Sequence, residues 1–363
     1  MTAVSAYKCP NCGADIPYDP GSQNLKCPYC DTEYPIETLA EYNEEINIKD
    51  TECNWQTYKY ENIELGKYEY TCPSCGGSVV MDEENSTSIC PYCGGSIILN
   101  EKVSGSLKPD LVIPFKHSKT EAINALENEL KNKFLLPRDF KSHKYLDKVE
   151  GVYVPYWLFD CDADCSARFK MTKRRTWSDS SYHYTQVSHF LGIRDGELSF
   201  NKVPVDASIK LDSALSETLE PFDYSEAVDF NTAYLAGFYA DIRQEDEDTC
   251  KKRANERIQS SMIKALASTV VGYSSCILEG SSIIFNDGKF HYALLPVYLL
   301  SRTYNDKVYT FAINGQTLKV AGEIPSDIKK LVLYSILIFV LSFVVIFAIG
   351  YLCIRYLWKR LLF

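Results

Sequence analysis

With 363 residues the chain can form two or three domains with sizeable cores, and an apolar share of 46% excludes a globally disordered protein. Its formal net charge of −10 is concentrated at one end, because residues 1–104 hold six Lys, no Arg and seventeen acidic residues, a net charge of −11. The N-terminus lacks a basic start followed by an apolar stretch, so we expect no signal peptide and a reducing compartment. The fourteen cysteines then indicate metal rather than disulfides where they cluster.

Two cysteine clusters share one spacing. Each consists of two C-x2-C pairs separated by fourteen residues, and every cysteine of the second cluster lies 63 positions after its counterpart in the first. This pattern is a strong zinc signature, so we predict small β zinc ribbons at 7–34 and 70–100. The predicted ligands are Cys9, Cys12, Cys27, Cys30, Cys72, Cys75, Cys90 and Cys93.

The coordination chemistry fits this spacing. Two cysteines three positions apart on a tight turn, a knuckle, direct both sulfurs at one ion, and two knuckles complete a tetrahedron. Gly13 and Gly76 follow a knuckle, where a positive φ lets backbone amides face the sulfurs. Turn residues at 19–22 and 82–85 predict a hairpin in each spacer. Because all ligands are sulfur, we interpret both sites as structural Zn²⁺ sites closed to water; iron, disulfides and free thiols are the alternatives.

The segment 35–69 between the ribbons is acidic and rich in tyrosine. A short helix over 37–46 is predicted, and the rest is interpreted as a linker. Trp55 and its neighbouring tyrosines could pack against the fold or bind a partner, and we favour packing.

Ribbons of this pattern resemble those of transcription factors, helicases and polymerase subunits, so nucleic-acid binding has to be weighed. A zinc ion with four thiolates carries −2, so two loaded sites bring residues 1–104 close to −15. Affinity for nucleic acids comes largely from Lys and Arg that neutralise phosphates. We therefore expect the ribbons to dock proteins and regard nucleic acid as an unlikely ligand.

Residues 105–325 predict an α+β middle domain. Helical patterns cover 119–133 and 244–268, and apolar strands are expected at 152–159 and 293–301. A hairpin follows at 308–320, around the turn signal Asn314-Gly315.

The order Pro-Phe, helix, then an apolar strand with a proline occurs twice in this domain, at 114–159 and 221–301. The repeat suggests two diverged α+β lobes. No Walker loop, HExxH, GxSxG or dinucleotide-binding fingerprint occurs, so we predict no catalytic residues.

Two further groups in the middle domain have two interpretations each. Cys161 and Cys165 could hold a metal, but on a strand they are interpreted as small packed side chains. Arg168, Lys170 and the run 173–175 lie beside Trp177, and we interpret them as a solvated strand; a contact for acidic partners or lipid headgroups is the alternative.

Residues 331–354 contain no charge and predict one transmembrane helix, since about 36 Å of helix is enough to cross a hydrocarbon core of about 30 Å. A basic-aromatic tail, 355–363, follows it. Flanking charges are balanced at three against three and do not orient the helix. Thiolate ligands and the absence of a signal peptide place residues 1–330 in the cytoplasm of a single-pass protein of the cell membrane.

Taken together, these motifs resemble a family of bacterial membrane proteins with TFIIB-type zinc ribbons and a C-terminal anchor. Some members of that family are encoded beside phage-shock or flotillin-like (SPFH) membrane-organising proteins, and the resemblance implies a role in recruiting such proteins to the membrane. It supplies no chemistry for individual residues. The motifs that carry it are CPNCGADI, CPYCDTEY, CPSCGG, CPYCGG, VIPFKHSKTEA, GVYVPYWLFD, EPFDYSEAV, YLAGFYAD, LLPVYLL and FAINGQTLKVAGEIP.

The sequence therefore favours a non-enzymatic scaffold that is held on the bilayer and docks protein partners. A membrane-tethered nucleic-acid-binding regulator and an unrecognised enzyme in the middle domain are the competing hypotheses. The acidic N-terminal part counts against the first, and the lack of a catalytic motif counts against the second.

Overall fold

The structure, a computed structural model, describes residues 7–37, 39, 53–56, 61–63, 65–81, 89–102, 106–137, 140, 146–241, 243, 245–305 and 307–361. The chain forms two compact units that are interleaved along the sequence. The ribbon-1 unit comprises 1–58, 158–205 and 247–290, and the ribbon-2 unit comprises 59–157, 206–246 and 291–363. The domain boundaries expected from the sequence stay predictions.

Sixteen strands occur in the described residues, and three of them are long enough to contribute to both units. In chain order they are β1 Tyr18–Asp19, β2 Asn24–Lys26, β3 Glu33–Tyr34, β4 Asn62–Ile63, β5 Tyr68–Thr71, β6 Ser78–Met81, β7 Ile98–Lys102, β8 Ser106–Leu107, β9 Leu111–Val112, β10 Glu150–Ser178, β11 His183–Asp206, β12 Val228–Asp229, β13 Tyr239–Asp241, β14 Ser275–Tyr304, β15 Lys307–Asn314 and β16 Val320–Gly322.

The described α-helices are α1 Lys119–Lys131, α2 Ser213–Leu219, α3 Glu247–Ser268 and α4 Ile328–Leu361. Short 3-10 helices cover Tyr224–Glu226 and Thr232–Leu235. The helices and strands predicted for the middle domain are confirmed, although β10 and β14 are far longer than expected. The helix predicted over 37–46 falls mostly outside the described residues.

In the ribbon-1 unit, the first ribbon has a sheet of its own, with the order β1-β2-β3 and antiparallel pairing. Its small core contains two of the cysteines together with Ile16, Leu25 and Tyr34. Leu191 of β11 packs against this core. The ribbon is therefore attached to a long strand of the same unit rather than built into its sheet.

Helix α3 and strand β10 of the ribbon-1 unit each bury one face more deeply than the other. Helix α3 buries one stripe at a spacing of four residues, as a helix lying on a sheet requires. Between 161 and 171, every second residue of β10 is buried, which is the pattern of a strand with one face in the core. The buried residues are Cys250, Ala254, Ile258, Met262 and Leu266 on α3, and Cys161, Ala163, Cys165, Ala167, Phe169 and Met171 on β10.

Residues 53–56 of the linker pack inside this unit. The ring of Trp55 meets that of Phe159 edge-on at 4.9 Å, and the backbone N–H of Gln56 donates to the carbonyl of Gly288 at 2.9 Å. A Cβ at Gly288 would lie 2.5 Å from Sγ of Cys53, so this close approach depends on glycine. Packing of Trp55, favoured over partner binding, is confirmed.

The ribbon-2 unit is built on one mixed sheet with the strand order β12-β9-β14-β10-β13-β6-β5-β7. The second ribbon supplies β5, β6 and β7 and joins the sheet where Val79 of β6 pairs antiparallel with Asp241 of β13. Strand β15 pairs with β14 on one side and with β16 on the other, which confirms the hairpin predicted around Asn314-Gly315.

The centre of this sheet has reciprocal pairing. Each half of the middle region runs strand, helix, strand: β9-α1-β10 and β13-α3-β14. The strand after one helix pairs in parallel with the strand before the other helix, through Val152 with Tyr239 and Ala293 with Leu111. The two Pro-Phe pairs occupy different places, since Pro114-Phe115 follow β9 and Pro221-Phe222 precede β13. The two-lobe interpretation stays a prediction.

The sequence around Ser118 explains where helix α1 begins. The Ser118 hydroxyl accepts the backbone N–H of Glu121, and the Glu121 carboxylate accepts the backbone N–H of Ser118, a complete capping box. These bonds hold the pKa of Glu121 at about 2. The buried stripe of Ala122, Leu126 and Leu130 packs onto β14 and β15.

Among the described residues, one helix is long and apolar enough to cross a membrane. No residue in the most apolar part of Ile328–Tyr351 of α4 is buried against the rest of the protein. The helix continues to Leu361, so most of the predicted tail is helical. Its start is fixed in the ribbon-2 unit, where the Asp327 backbone N–H donates to the Leu135 carbonyl at 2.8 Å.

Candidate metal centres

All four knuckles have the same backbone geometry. In each, the first cysteine's N–H donates to the carbonyl five residues later, and its carbonyl accepts the N–H four residues later, at 2.7–3.0 Å. The residue four positions after the first cysteine has a positive φ in every knuckle, and it is glycine in three knuckles and Asp31 in the other. The positive φ predicted at Gly13 and Gly76 is confirmed. These turns direct the two sulfurs of a knuckle to the same side.

The eight predicted ligands come together in two groups of four. Within each group all Sγ atoms lie within 4.8 Å of one another. The Sγ atoms are 3.6 Å apart between Cys9 and Cys30 and 3.5 Å apart between Cys72 and Cys93. A tetrahedral ion with bonds of about 2.3 Å requires roughly 3.8 Å between sulfurs, so each group could hold one metal ion.

Disulfides are absent from both groups, since all thirteen cysteines described by the structure are free. The thiols of ribbon 1 differ in acidity. A hydrogen bond with Thr32 lowers the pKa of Cys30 to about 6, whereas burial raises the pKa of Cys9 to about 12. Burial also raises the pKa of Cys90 in ribbon 2. Metal binding has to displace the protons that remain, so it is coupled to pH.

Ribbon 1 leaves its second knuckle open to solvent. Tyr29, between Cys27 and Cys30, has 80% of its surface exposed. The hydroxyl of Thr32 lies 3.2 Å from Sγ of Cys30. From the middle region, the Lys170 ammonium donates to the carbonyl of Pro10 in the first knuckle. The spacing of the cysteines gave no indication of this lysine contact.

Ribbon 2 has its second knuckle enclosed. Tyr92, at the position of Tyr29, is only 6% exposed and lies beside Ser208 and Asp241. Burial raises the pKa of Tyr92 well above its usual value, and the Asp241 carboxylate adds to the rise. The Ser301 hydroxyl donates to the carbonyl of Pro91 at 2.9 Å.

The first knuckle of ribbon 2 has a lysine contact as well. The Lys210 ammonium donates to the carbonyl of Cys75 at 2.7 Å. Lys170 and Lys210 therefore both cap a first-knuckle carbonyl from the middle region. No signal in the ribbons themselves could have found them, because they lie 160 and 135 residues away in sequence.

Other candidates from the sequence lie apart from these centres. Cys161 and Cys165 are packed side chains on β10, as favoured. The first spacer hairpin is confirmed, with the Asp19 carboxylate accepting the backbone N–H of Ser22 at 3.2 Å. The turn predicted at 82–85 lies outside the described residues.

A groove of about 650 Å³ in the ribbon-2 unit is a candidate for a small-molecule site. Its charged lining is already paired. Lys116 contacts Glu226 at 2.5 Å, His117 contacts Glu121 at 3.2 Å, and Lys119 contacts Glu150 at 3.2 Å.

No protein-family model matches the chain, and no solved structure matches it. A protein of Bacillus subtilis (strain 168), "Uncharacterized protein YdjG", is 35% identical over 326 residues, which cover 89% of this chain and 90% of the relative. The likeness therefore covers most of both chains.

Proposed function

The chain belongs to the family of the Bacillus subtilis protein YdjG, and from its own geometry we propose that it is a non-enzymatic, membrane-anchored zinc-ribbon scaffold that recruits protein partners to the bilayer. One combination of features carries the proposal. Two groups of four thiols that could each hold a metal ion occur in the same chain as a long apolar helix with no buried residue in its most apolar part.

The metal proposed for both centres is Zn²⁺ in a structural role. Four thiolates at tetrahedral spacing suit this ion, and they leave no coordination position for water or substrate. Ribbons of this size bury little apolar surface, so metal binding of roughly 10–16 kcal/mol is their main source of stability. A catalytic zinc site would keep an open position, and this donor set supports no such site.

The proposed location is the cell membrane, with α4 as the single anchor and residues 1–330 in the cytoplasm. A predominantly apolar, exposed span of 24 residues is costly in water and long enough to cross a bilayer. Cysteine ligands stay reduced most readily in the cytoplasm, which supports the orientation proposed for residues 1–330.

Ribbon 1 is the proposed docking face. Its exposed apolar residues, Tyr18, Tyr29 and Ile36, lie in an acidic segment. Aromatic side chains are enriched at protein interfaces, and an acidic surround disfavours nucleic acid. The resemblance noted above suggests a partner of the flotillin-like (SPFH) or phage-shock type.

The test compares proteins that co-purify with the tagged full chain from detergent-solubilised membranes. We expect a membrane protein that is recovered with the wild type and lost with Tyr29→Ala. The matched control is Val271→Ala, which truncates another exposed apolar residue of the ribbon-1 unit. Because Tyr29 is exposed, its truncation should leave the metal content and the free energy of unfolding unchanged.

Two results would contradict the scaffold. One is a set of co-purifying proteins that is the same for Tyr29→Ala and the wild type. The other is DNA or RNA that co-purifies and is lost on deletion of ribbon 1. Retention of the chain in membranes after carbonate washing, but not after deletion of residues 327–363, tests the anchor separately.

A further inference from the structure

The hairpin of β10 and β11 ends in a segment that projects beyond its neighbours. Residues 173–187, here called the hairpin tip, are all exposed, fifteen in succession. In the described sheet β11 pairs only with β10. The next strand, β14, begins at Ser275, whose hydroxyl lies 2.6 Å from that of Thr172. The backbone N–H of Arg174 still donates to the Ser274 hydroxyl at 2.9 Å, and beyond Arg174 every residue of the two-stranded tip is exposed.

The tip is basic in a chain whose net charge is −10. It carries Lys173, Arg174 and Arg175, and its one acidic residue is Asp179. The Asp179 carboxylate accepts the backbone N–H groups of Ser181 and Tyr182 and the hydroxyl of Tyr184, and these bonds lower its pKa. The carboxylate is thus held within the turn, and the three cations face solvent.

Aromatic rings lie beside these cations. Trp177 and Tyr184 are stacked with their centroids 5.5 Å apart and their planes 15° apart. The Arg175 guanidinium lies 5.7 Å from the centre of the Trp177 ring. Trp177 is 46% exposed and Tyr182 is 67% exposed. Trp and Tyr rings combine a large apolar surface with one polar group, so they are favoured at a boundary between a polar and an apolar phase.

We propose that the hairpin tip binds the anionic phosphate headgroups of a phospholipid bilayer. Trp, Tyr, Lys and Arg are the side chains that a membrane-water interface favours, and α4 places the chain at a bilayer. Each Lys or Arg near an anionic surface strengthens binding about fivefold. The inference rests on the proposed function of α4 as the membrane anchor, and it is independent of docking through Tyr29.

The test uses the full chain in phosphatidylcholine nanodiscs, mixed with sucrose-loaded vesicles of phosphatidylcholine with or without phosphatidylglycerol. Sedimentation measures binding to the second bilayer. Hydrogen exchange of residues 173–187 in nanodiscs that contain phosphatidylglycerol measures binding to the chain's own bilayer. We expect binding or protection that requires phosphatidylglycerol and falls with added salt. The variant Lys173→Gln/Arg174→Gln/Arg175→Gln should weaken it on the order of 100-fold.

A matched variant, Lys252→Gln/Lys264→Gln/Lys289→Gln, removes three exposed cations from the same unit and should leave binding unchanged. Equal effects of the two triple variants would overturn the proposal, because net charge alone would then explain them. So would the absence of any phosphatidylglycerol dependence in both arrangements. Tighter binding to duplex DNA or single-stranded RNA than to vesicles, lost in the tip variant, would replace lipid by nucleic acid.

Discussion

Ribbon 1 and ribbon 2 place the same Cys-Pro-Tyr-Cys knuckle in different surroundings: Tyr29 is 80% exposed, whereas Tyr92 is 6% exposed. The first ribbon forms its own three-stranded sheet, and the second contributes three strands to the main sheet of its unit. In both ribbons the first cysteine of each knuckle is buried, and the ligands differ at one position: Cys12 of ribbon 1 is exposed, whereas Cys75 of ribbon 2 is half-buried.

The difference separates two uses of one motif. In ribbon 2 the ion would hold together strands on which β13 depends, so the metal supports the fold of the whole unit. In ribbon 1 the ion would hold a small surface module whose outer knuckle stays free. A duplicated metal site can thus keep its ligands while one copy serves stability and the other remains available for contacts.

The largest expected effect comes from removing one ligand in each ribbon. Cys27→Ser and Cys90→Ser should each lower the metal content from two ions to one, measured by elemental analysis, since a site loses roughly 10–16 kcal/mol of metal binding. Hydrogen exchange should then differ. Cys27→Ser should expose residues 7–34 only, whereas Cys90→Ser should also expose β13 and β10 around Tyr239 and Val152. If each variant raised hydrogen exchange in its own ribbon only, the proposed difference between the two ribbons would be wrong.

The second prediction concerns the two tyrosines. Tyr92→Ala removes a buried ring and should lower the free energy of unfolding by about 3–5 kcal/mol. Tyr29→Ala should change it by no more than about 0.5 kcal/mol. Denaturant titration of the detergent-solubilised protein measures both. A loss above 2 kcal/mol at Tyr29, on the order of the loss of a buried side chain, would show that ribbon 1 is packed more deeply than its exposure indicates.

The third prediction concerns metal removal. A strong chelator should extract the two ions in two kinetic phases, with ribbon 1 first, because ribbon 2 has to open locally before its buried sulfurs become accessible. Release is followed with a colorimetric zinc indicator. Cys27→Ser should remove the fast phase and Cys90→Ser the slow one. A single phase in the wild type would show that the two centres open together.

The smallest expected effect concerns the capping lysines. Lys170→Met and Lys210→Met each remove a charge-assisted hydrogen bond to a knuckle carbonyl, with an expected loss of about 1.5–3 kcal/mol where the carbonyl is enclosed. We expect the larger change in global stability for Lys210→Met. Lys170→Met should mainly raise hydrogen exchange in residues 9–13. Glutamine at either position can donate again and should restore part of the loss.

The sequence sufficed for features that depend on local spacing. The repeat at 63 positions identified both clusters, and the signature Ser118-x-x-Glu121 together with apolar residues at a spacing of four identified α1. An uncharged stretch of 24 residues identified the core of α4. In each case the residues that cause the structure are neighbours along the chain, so their pattern is visible in one dimension.

Features that depend on distant contacts were out of reach. Tyr29 and Tyr92 both lie in a Cys-Pro-Tyr-Cys sequence, and residues far along the chain, among them Ser208 and Asp241, lie beside the second. The length of β10 was missed for another reason. Its buried positions beyond Phe159 are mostly Cys and Ala, which alternate with polar residues but give a weak apolar signal.

The pairing of Val79 with Asp241 also has a consequence for the order of assembly. A chain that is made from its N-terminus completes ribbon 2 long before β13 exists. During that interval the sulfurs of the second centre are still accessible. Once β13 pairs with β6 and Tyr92 is enclosed, Cys72 and Cys90 are buried and the second knuckle is closed in. We therefore expect an ion to enter ribbon 2 most readily while the chain is being synthesised, and metal added to a folded apoprotein to enter it more slowly.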